Sequence, residues 1–204
     1  MKIAIFGATG RVGQQWLKHA MAAGHEVKAL VRTPKLEPLL GLQILLGDAR
    51  NAEDVERTIE GVEAVFCALG TDRTTTLSEA MPLIIGAMEK RGIRRIVTIG
   101  TAGILNSRLT PGVLRYQGGD SNRKLTFAAE EHEKAFRLLE NSALEWTVVC
   151  PTYLPDGEAR GNYRTEKDLL PEGGREITVG DTAEFAFREL EDPEFMQCRV
   201  GLAY

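Results

Sequence analysis

Three glycines stand three residues apart near the start of the chain, in Gly7-Ala8-Thr9-Gly10-Arg11-Val12-Gly13. An apolar run, Ile3 to Phe6, leads into them, and 14–23 reads as a helix behind them. Gly7 permits a sharp turn, Gly10 lets the backbone approach a pyrophosphate, and Gly13 lets the helix pack on the strand. The free N–H groups and positive dipole end of that helix then face the phosphates. Thr9, Arg11 and Val12 share the turn and join the candidate phosphate contacts, although the Arg11 side chain can equally point to solvent. The chemistry of such a turn is dinucleotide binding, and the strand–turn–helix context separates it from incidental glycines.

Residues suited to the rest of a dinucleotide follow at the ends of later apolar runs. The second run, 26–31, ends in Val31-Arg32-Thr33, with no acidic residue. An acid there would accept from the ribose 2′-hydroxyl of NAD, whereas an arginine accommodates the 2′-phosphate of NADP. Arg32 offers a planar fork and Thr33 a hydroxyl, so NADPH is expected over NADH. Asp48, with Ala49 beside it, follows a third run at 42–46. It either accepts from the adenine amino group or caps the next helix. Ala68-Leu69-Gly70 would let the backbone pass close to the adenosine. Arg73, just beyond, either adds charge near the 2′-phosphate or stays solvated.

The elements that must position these residues alternate. Strands are expected at 63–69, 94–99 and 145–150, and helices at 51–60, 77–91, 122–140 and 181–190. Leu77, Met81, Ile84, Ile85 and Met88 recur at a helical period, and Gly92 ends that helix. Asp181 or Thr182 is the expected cap of the last one. Alternation with short, strongly apolar strands predicts an α/β fold: one Rossmann-type domain over 1–204, with a doubly wound, mainly parallel sheet covered on both faces. Two stretches, 102–121 and 152–175, break the alternation after the fifth and sixth strands. That edge is where open α/β sheets bind ligands, so they are read as substrate-cleft walls. Leu105, Leu109, Leu114 and Tyr116 are candidates for an apolar wall.

Bulk properties exclude other classes. The net charge of −4 favours neither nucleic acid nor an anionic membrane. No apolar run approaches the roughly 20 residues of a bilayer span. The chain opens directly into a core strand, leaving no expected signal peptide. Cys67, Cys150 and Cys198 are scattered and read as buried thiols, which gives a cytoplasmic expectation and no metal site. Monomer and homodimer both stay open.

Nearly end to end, the sequence resembles the small atypical short-chain dehydrogenases/reductases of the NADPH-dependent flavin reductase and biliverdin-IXβ reductase type. The resemblance rests on Ile3-Ala-Ile-Phe-Gly-Ala-Thr-Gly10, Leu30-Val-Arg32, Gly47-Asp48, Leu69-Gly70-Thr71, Glu131-His132, Pro151, Gly161-Asn-Tyr163 and the Asp181 helix. The spacing GxxGxxG is the variant used by extended and atypical short-chain reductases. The resemblance implies a single Rossmann domain that binds NADPH, with Pro151 on the cofactor side. It also implies flat acceptors, such as FMN or a linear tetrapyrrole. Two positions depart from the family: its serine after strand five is Thr101 here, and its histidine after strand six is Tyr153.

Thr101, His132 and Tyr153 are the catalytic candidates. Thr101 keeps a hydroxyl donor at a strand end, and Tyr153 can stack on a flat acceptor or on nicotinamide. His132 either supports the nicotinamide ribose or pyrophosphate, or is a surface histidine whose neighbours Glu131 and Glu133 favour its charged form. Glu130, Glu131 and Glu133 read as a wet helix face, and His19 and His25 as solvated. Tyr163-Arg-Thr-Glu-Lys167 matches the Tyr-x-x-x-Lys pair of active short-chain dehydrogenases. It follows strand six instead of lying on the helix before it, where i and i+4 share a face. Alcohol oxidation is therefore not expected. The expected activity is NADPH-dependent hydride transfer to a flavin, quinone or linear tetrapyrrole, in which the cofactor supplies the chemistry. A non-catalytic NADP(H) sensor is the alternative.

Overall fold

The computed structural model describes residues 1–71, 73–121 and 125–204. Eight strands form one sheet: β1 Lys2–Phe6, β2 Glu26–Val31, β3 Leu42–Leu46, β4 Ala64–Cys67, β5 Arg95–Ile99, β6 Glu145–Pro151, β7 Arg164–Lys167 and β8 Cys198–Ala203. Their order across the sheet is β3-β2-β1-β4-β5-β6-β8-β7. All neighbours are parallel except β7, which runs antiparallel to β8. The helices are α1 Arg11–Ala22, α2 Ala52–Ile59, α3 Thr76–Lys90, α4 Phe127–Glu140 and α5 Val179–Glu191. A short 3-10 turn, Ala102–Ile104, follows β5.

Successive side chains on a strand face opposite sides of the sheet, which makes two cores. Ala4, Phe6, Val65, Cys67, Ile96 and Val148 pack with α2, α3 and α4. Ile3, Ile5, Phe66, Val97 and Val149 pack with α1 and α5. In the second core Trp16 stacks on Phe66, with ring centroids 4.2 Å apart. All three cysteines are buried. β1 bonds to β2 on one side and β4 on the other, in register Phe6↔Leu30 and Phe6↔Cys67. The chain therefore leaves β1 in both directions, and a crevice opens above its carboxyl end.

Several boundaries differ from the sequence pattern. α1 begins at Arg11, immediately after its N-cap Gly10, so Gly13 lies in its first turn. α4 starts only at Phe127; of the expected 122–140 helix, 122–124 fall outside the described residues. The cap of α5 is Thr178, not Asp181 or Thr182: its Oγ1 accepts from the Asp181 N–H at 3.2 Å. β7 and β8 were not anticipated. β7 alternates weakly and sits at the sheet edge, whereas β8 is buried throughout and carries Arg199, a residue that hides its apolar character.

Buried polar groups hold the two irregular stretches. Ser107 Oγ and the N–H groups of Arg108 and Leu109 donate to Asp120. The Arg160 and Gly161 N–H groups donate to Asp181 Oδ1 at 2.9 and 2.8 Å, and Thr178 and Tyr204 hydroxyls donate to Oδ2. Arg199 ties the stretches together. It reaches Asp168 Oδ1 at 3.2 Å, Asn106 Oδ1 at 2.8 Å and the Ile104 carbonyl. Among the described residues, no helix is long and apolar enough to cross a membrane, and no group of three or more His, Cys, Asp or Glu could hold a metal ion.

Candidate active site

Gly7 has φ +90°, and a Cβ there would collide with the Ala68 carbonyl at the end of β4. A Cβ at Gly13 would collide with the Gly7 carbonyl. These two positions let β1, α1 and β4 close around one turn. α1 has no side-chain cap bond and no acidic residue in its first turn. The Arg11, Val12 and Gly13 N–H groups therefore belong to a helix start suited to an anion.

A cleft of about 170 Å³ opens beside this turn. Its lining brings together Gly7, Thr9, Gly10, Arg32, Asp48, Ala49, Leu69 and Gly70 of the sequence candidates. Thr33 and Arg73 are exposed outside that lining, Arg73 at φ +59°, and Pro151 is buried at the end of β6. The lining also contains Thr74 and Thr76, which sequence reasoning missed. Their signal was the hydroxyl run Thr74-Thr75-Thr76 soon after Gly70.

Asp48 neither caps α2 nor stands alone. Asn51 is the cap, accepting from the Glu53 and Asp54 N–H groups. Asp48 Oδ1 accepts from the Arg50 backbone at 2.9 Å and Oδ2 from Arg50 Nη2 at 2.7 Å. Those bonds hold its carboxyl down at about 2, with Arg32 contributing at longer range. Arg50 was also missed; its partner is only two residues away, and one sequence cannot show which way a surface arginine turns.

A second, smaller cleft of about 60 Å³ lies past β5 and β6. Thr101, Ala102, Gly103, Arg115, Tyr116, Ser121, Thr126, Ala129 and Thr152 are among its lining residues. Thr101 Oγ1 accepts from the Gly103 N–H at 3.5 Å and caps the 3-10 turn. Tyr153 is outside this lining, 58% exposed, because the backbone turns its neighbour Thr152 inward. Of the expected apolar wall only Tyr116 takes part: Leu105 and Leu114 are core residues and Leu109 is 71% exposed. Tyr116 Oη donates to Glu133 Oε2 at 2.6 Å; burial and that carboxylate raise its pKa.

His132 is half-buried on α4, one turn beyond the lining residues Ala128 and Ala129. Burial lowers its pKa to about 4 against the opposing charge of Glu131. The surface alternative, in which neighbouring glutamates favour the charged form, does not hold: burial outweighs Glu131 and favours the neutral imidazole. Glu131 is no wet-face residue: it is fully buried, accepting from Ser78 Oγ at 2.5 Å and Lys134 Nζ at 2.6 Å. His25 also differs from the expectation. Its ring is 10% exposed, bonded to Glu191 at 2.8 Å, and His19 is half-buried against Phe187.

Tyr163 and Lys167 do not form a catalytic pair. Tyr163 Oη donates to Glu184 Oε2 at 2.6 Å, and burial raises its pKa. Lys167 ends β7 in an exposed position. Four residues along a strand span about 13 Å, far from the single-turn spacing of a helix.

The NAD(P)H-binding family model matches residues 7–193. The chain belongs to that family. The chain is also similar to proteins of its own length. The Bacillus subtilis protein YwnB, of uncharacterised function, is 30% identical over 209 residues, covering 95% of this chain and 94% of its own. A candidate NADH-flavin reductase from Streptococcus pneumoniae superposes with a TM-score of 0.84 at 25% identity, covering 100% of this chain and 99% of its own. A Veillonella parvula short-chain dehydrogenase/reductase in complex with NADP shares the fold, with a TM-score of 0.79, 18% identity, and coverage of 100% and 94%. The chain is thus an NAD(P)H-binding protein by family, and these neighbours share its Rossmann-type fold.

Proposed function

We propose that the protein is an NADPH-dependent reductase that passes hydride to a flat conjugated acceptor, with flavin first and quinone or linear tetrapyrrole after. The observation carrying this reading is Arg32 at the end of β2, exposed in the lining of the adenosine cleft beside Asp48. A guanidinium at that strand end suits a 2′-phosphate. Arg50 neutralises Asp48, so the neighbouring carboxylate does little to repel that phosphate.

NADPH, when bound, supplies the hydride. The α1 N-terminus and the glycine turn hold the phosphates, and Arg32 reads the 2′-phosphate. Thr101 and Thr152 line the far cleft and orient the reacting face, with Tyr116 as a flat side wall. Hydride transfer to such an acceptor depends chiefly on positioning. That agrees with the lining of the cleft, where no tyrosine–lysine pair occurs among the described residues. Steady-state NADPH oxidation with excess FMN tests the reading, followed by NADH in place of NADPH. Turnover preferring NADPH supports it, and turnover preferring NADH contradicts the role of Arg32.

A second reading, a non-catalytic NADP(H) sensor, is favoured by the small volume of the cleft beside Thr101. Tight NADPH binding without turnover of flavin, quinone or tetrapyrrole would select it.

A further inference from the structure

One arginine joins the glycine turn to the segment after β6. Arg11 opens α1, and its Nη1 donates to the Leu154 carbonyl and to Asp156 Oδ1, both at 2.9 Å. That segment is a fixed shelf on α5. Ile177 N donates to the Tyr153 carbonyl at 2.9 Å, Val179 N to Pro155 at 3.1 Å and Gly180 N to Gly157 at 2.9 Å. A Cβ at Gly180 would run into the backbone of 157–159. The shelf therefore does not need Arg11 to hold its shape, and the Arg11–Asp156 pair bridges two bodies that are each separately anchored.

The pair is also weak. The two side chains are 57% and 80% exposed, and ion pairs this wet contribute little. Phosphate oxygens, like a carboxylate, are charge-assisted acceptors for a guanidinium. The helix start that carries Arg11 is where a pyrophosphate would lie. Asp156 thus presents a negative charge to the cation that the phosphates would also use.

We propose that Asp156 competes with the dinucleotide phosphates for Arg11 and so limits how tightly the cofactor is held. Binding exchanges the Arg11–Asp156 bond for an Arg11–phosphate bond and leaves the Leu154 shelf in place. Release of the nucleotide re-forms the ion pair, which favours dissociation of the nucleotide over its retention. The proposal rests on the dinucleotide lying in the glycine cradle, but not on any acceptor or on catalysis.

Calorimetric titration of NADP+ into the wild-type chain, Asp156→Asn, Arg11→Ala and the double variant tests it. Asp156→Asn is expected to tighten binding by about two- to five-fold at low salt. In the Arg11→Ala background the same change is expected to do nothing. Unaltered or weaker binding by Asp156→Asn overturns the proposal. Equal tightening with and without Arg11 overturns it too, because the effect would then be a general field and not competition for one side chain. Wild-type protein that binds no NADP+ would refute occupancy of the cradle itself, an outcome distinct from both. Matching thermal melts of the exposed-site variants show that folding is intact.

Discussion

Arg32→Ala should separate the two nicotinamide cofactors. Arg32 is exposed at the end of β2 and lines the cleft beside the glycine turn. Its removal therefore leaves both cores untouched. A charge-assisted bond contributes about 1.5–3 kcal/mol, which is roughly 10- to 150-fold in affinity. Solvent exposure places the expected loss toward the lower end, about 10- to 30-fold for NADPH. NADH lacks the 2′-phosphate and should be held with nearly unchanged affinity. Asp48 supplies an internal control. Arg50→Ala would strip its carboxylate of the 2.7 Å partner and turn that charge toward the phosphate, so NADPH should weaken more than NADH there as well. Fluorescence titration of both cofactors against the wild type and the two variants reads these ratios. Equal losses for NADPH and NADH in Arg32→Ala, or no loss for either, would refute the assignment of Arg32.

His132 is depressed to about 4 in the folded chain, below its ordinary value near 6.5. Between those values the unfolded chain binds more protons, so stability should fall as pH drops from about 6.5 through 4, and His132→Gln should flatten that part of a Tm-against-pH curve. Its neutral form also predicts no activity limb from His132 near neutral pH, which a kcat/KM pH profile checks. Arg199→Ala removes bonds to Asp168, Asn106 and the Ile104 carbonyl. The expected cost is about 2 kcal/mol in denaturant melts, less than for a fully buried pair because Asp168 keeps contact with water. Tyr163→Phe should leave turnover within about two-fold, since the lost bond goes to Glu184 on α5 and not to the cleft. A large loss would restore the tyrosine–lysine reading. Gly13→Ala forces a Cβ into the Gly7 carbonyl and should destabilise by about 1–3 kcal/mol while weakening dinucleotide binding.

The cleft beside the glycine turn was legible because its requirements are backbone requirements. A turn that only glycine permits leaves a mark at Gly7 and Gly13, and a strand end such as Arg32 is located by the apolar run before it. β1, β4, β5 and β6 were legible because parallel strands buried on both faces read as nearly continuous apolar runs; β2 and the edge strand β3 showed by shorter apolar stretches between turn residues. The smaller cleft past β5 and β6 was harder. Whether Thr152 or Tyr153 faces the cleft is one residue of strand register, and one residue reverses every side chain. Leu105, Leu109 and Leu114 look alike in sequence, but the 3-10 turn and the Asn106–Leu114 bridge bury two of them and expose the third. Polar residues that do structural work also misled. Glu131 looked like surface because its partner Ser78 lies on another helix, 53 positions away in sequence. β8 was hidden by Arg199, whose partners come from two distant loops.

The most direct test of the account is a single-turnover reaction. Wild-type protein loaded with NADPH is mixed with an equivalent of FMN without oxygen, and nicotinamide and flavin absorbances are followed together. The account predicts that both change at one rate, and that deuterium at the transferring position of NADPH slows them equally. NADPH that stays bound and unoxidised beside FMN would contradict hydride transfer to flavin.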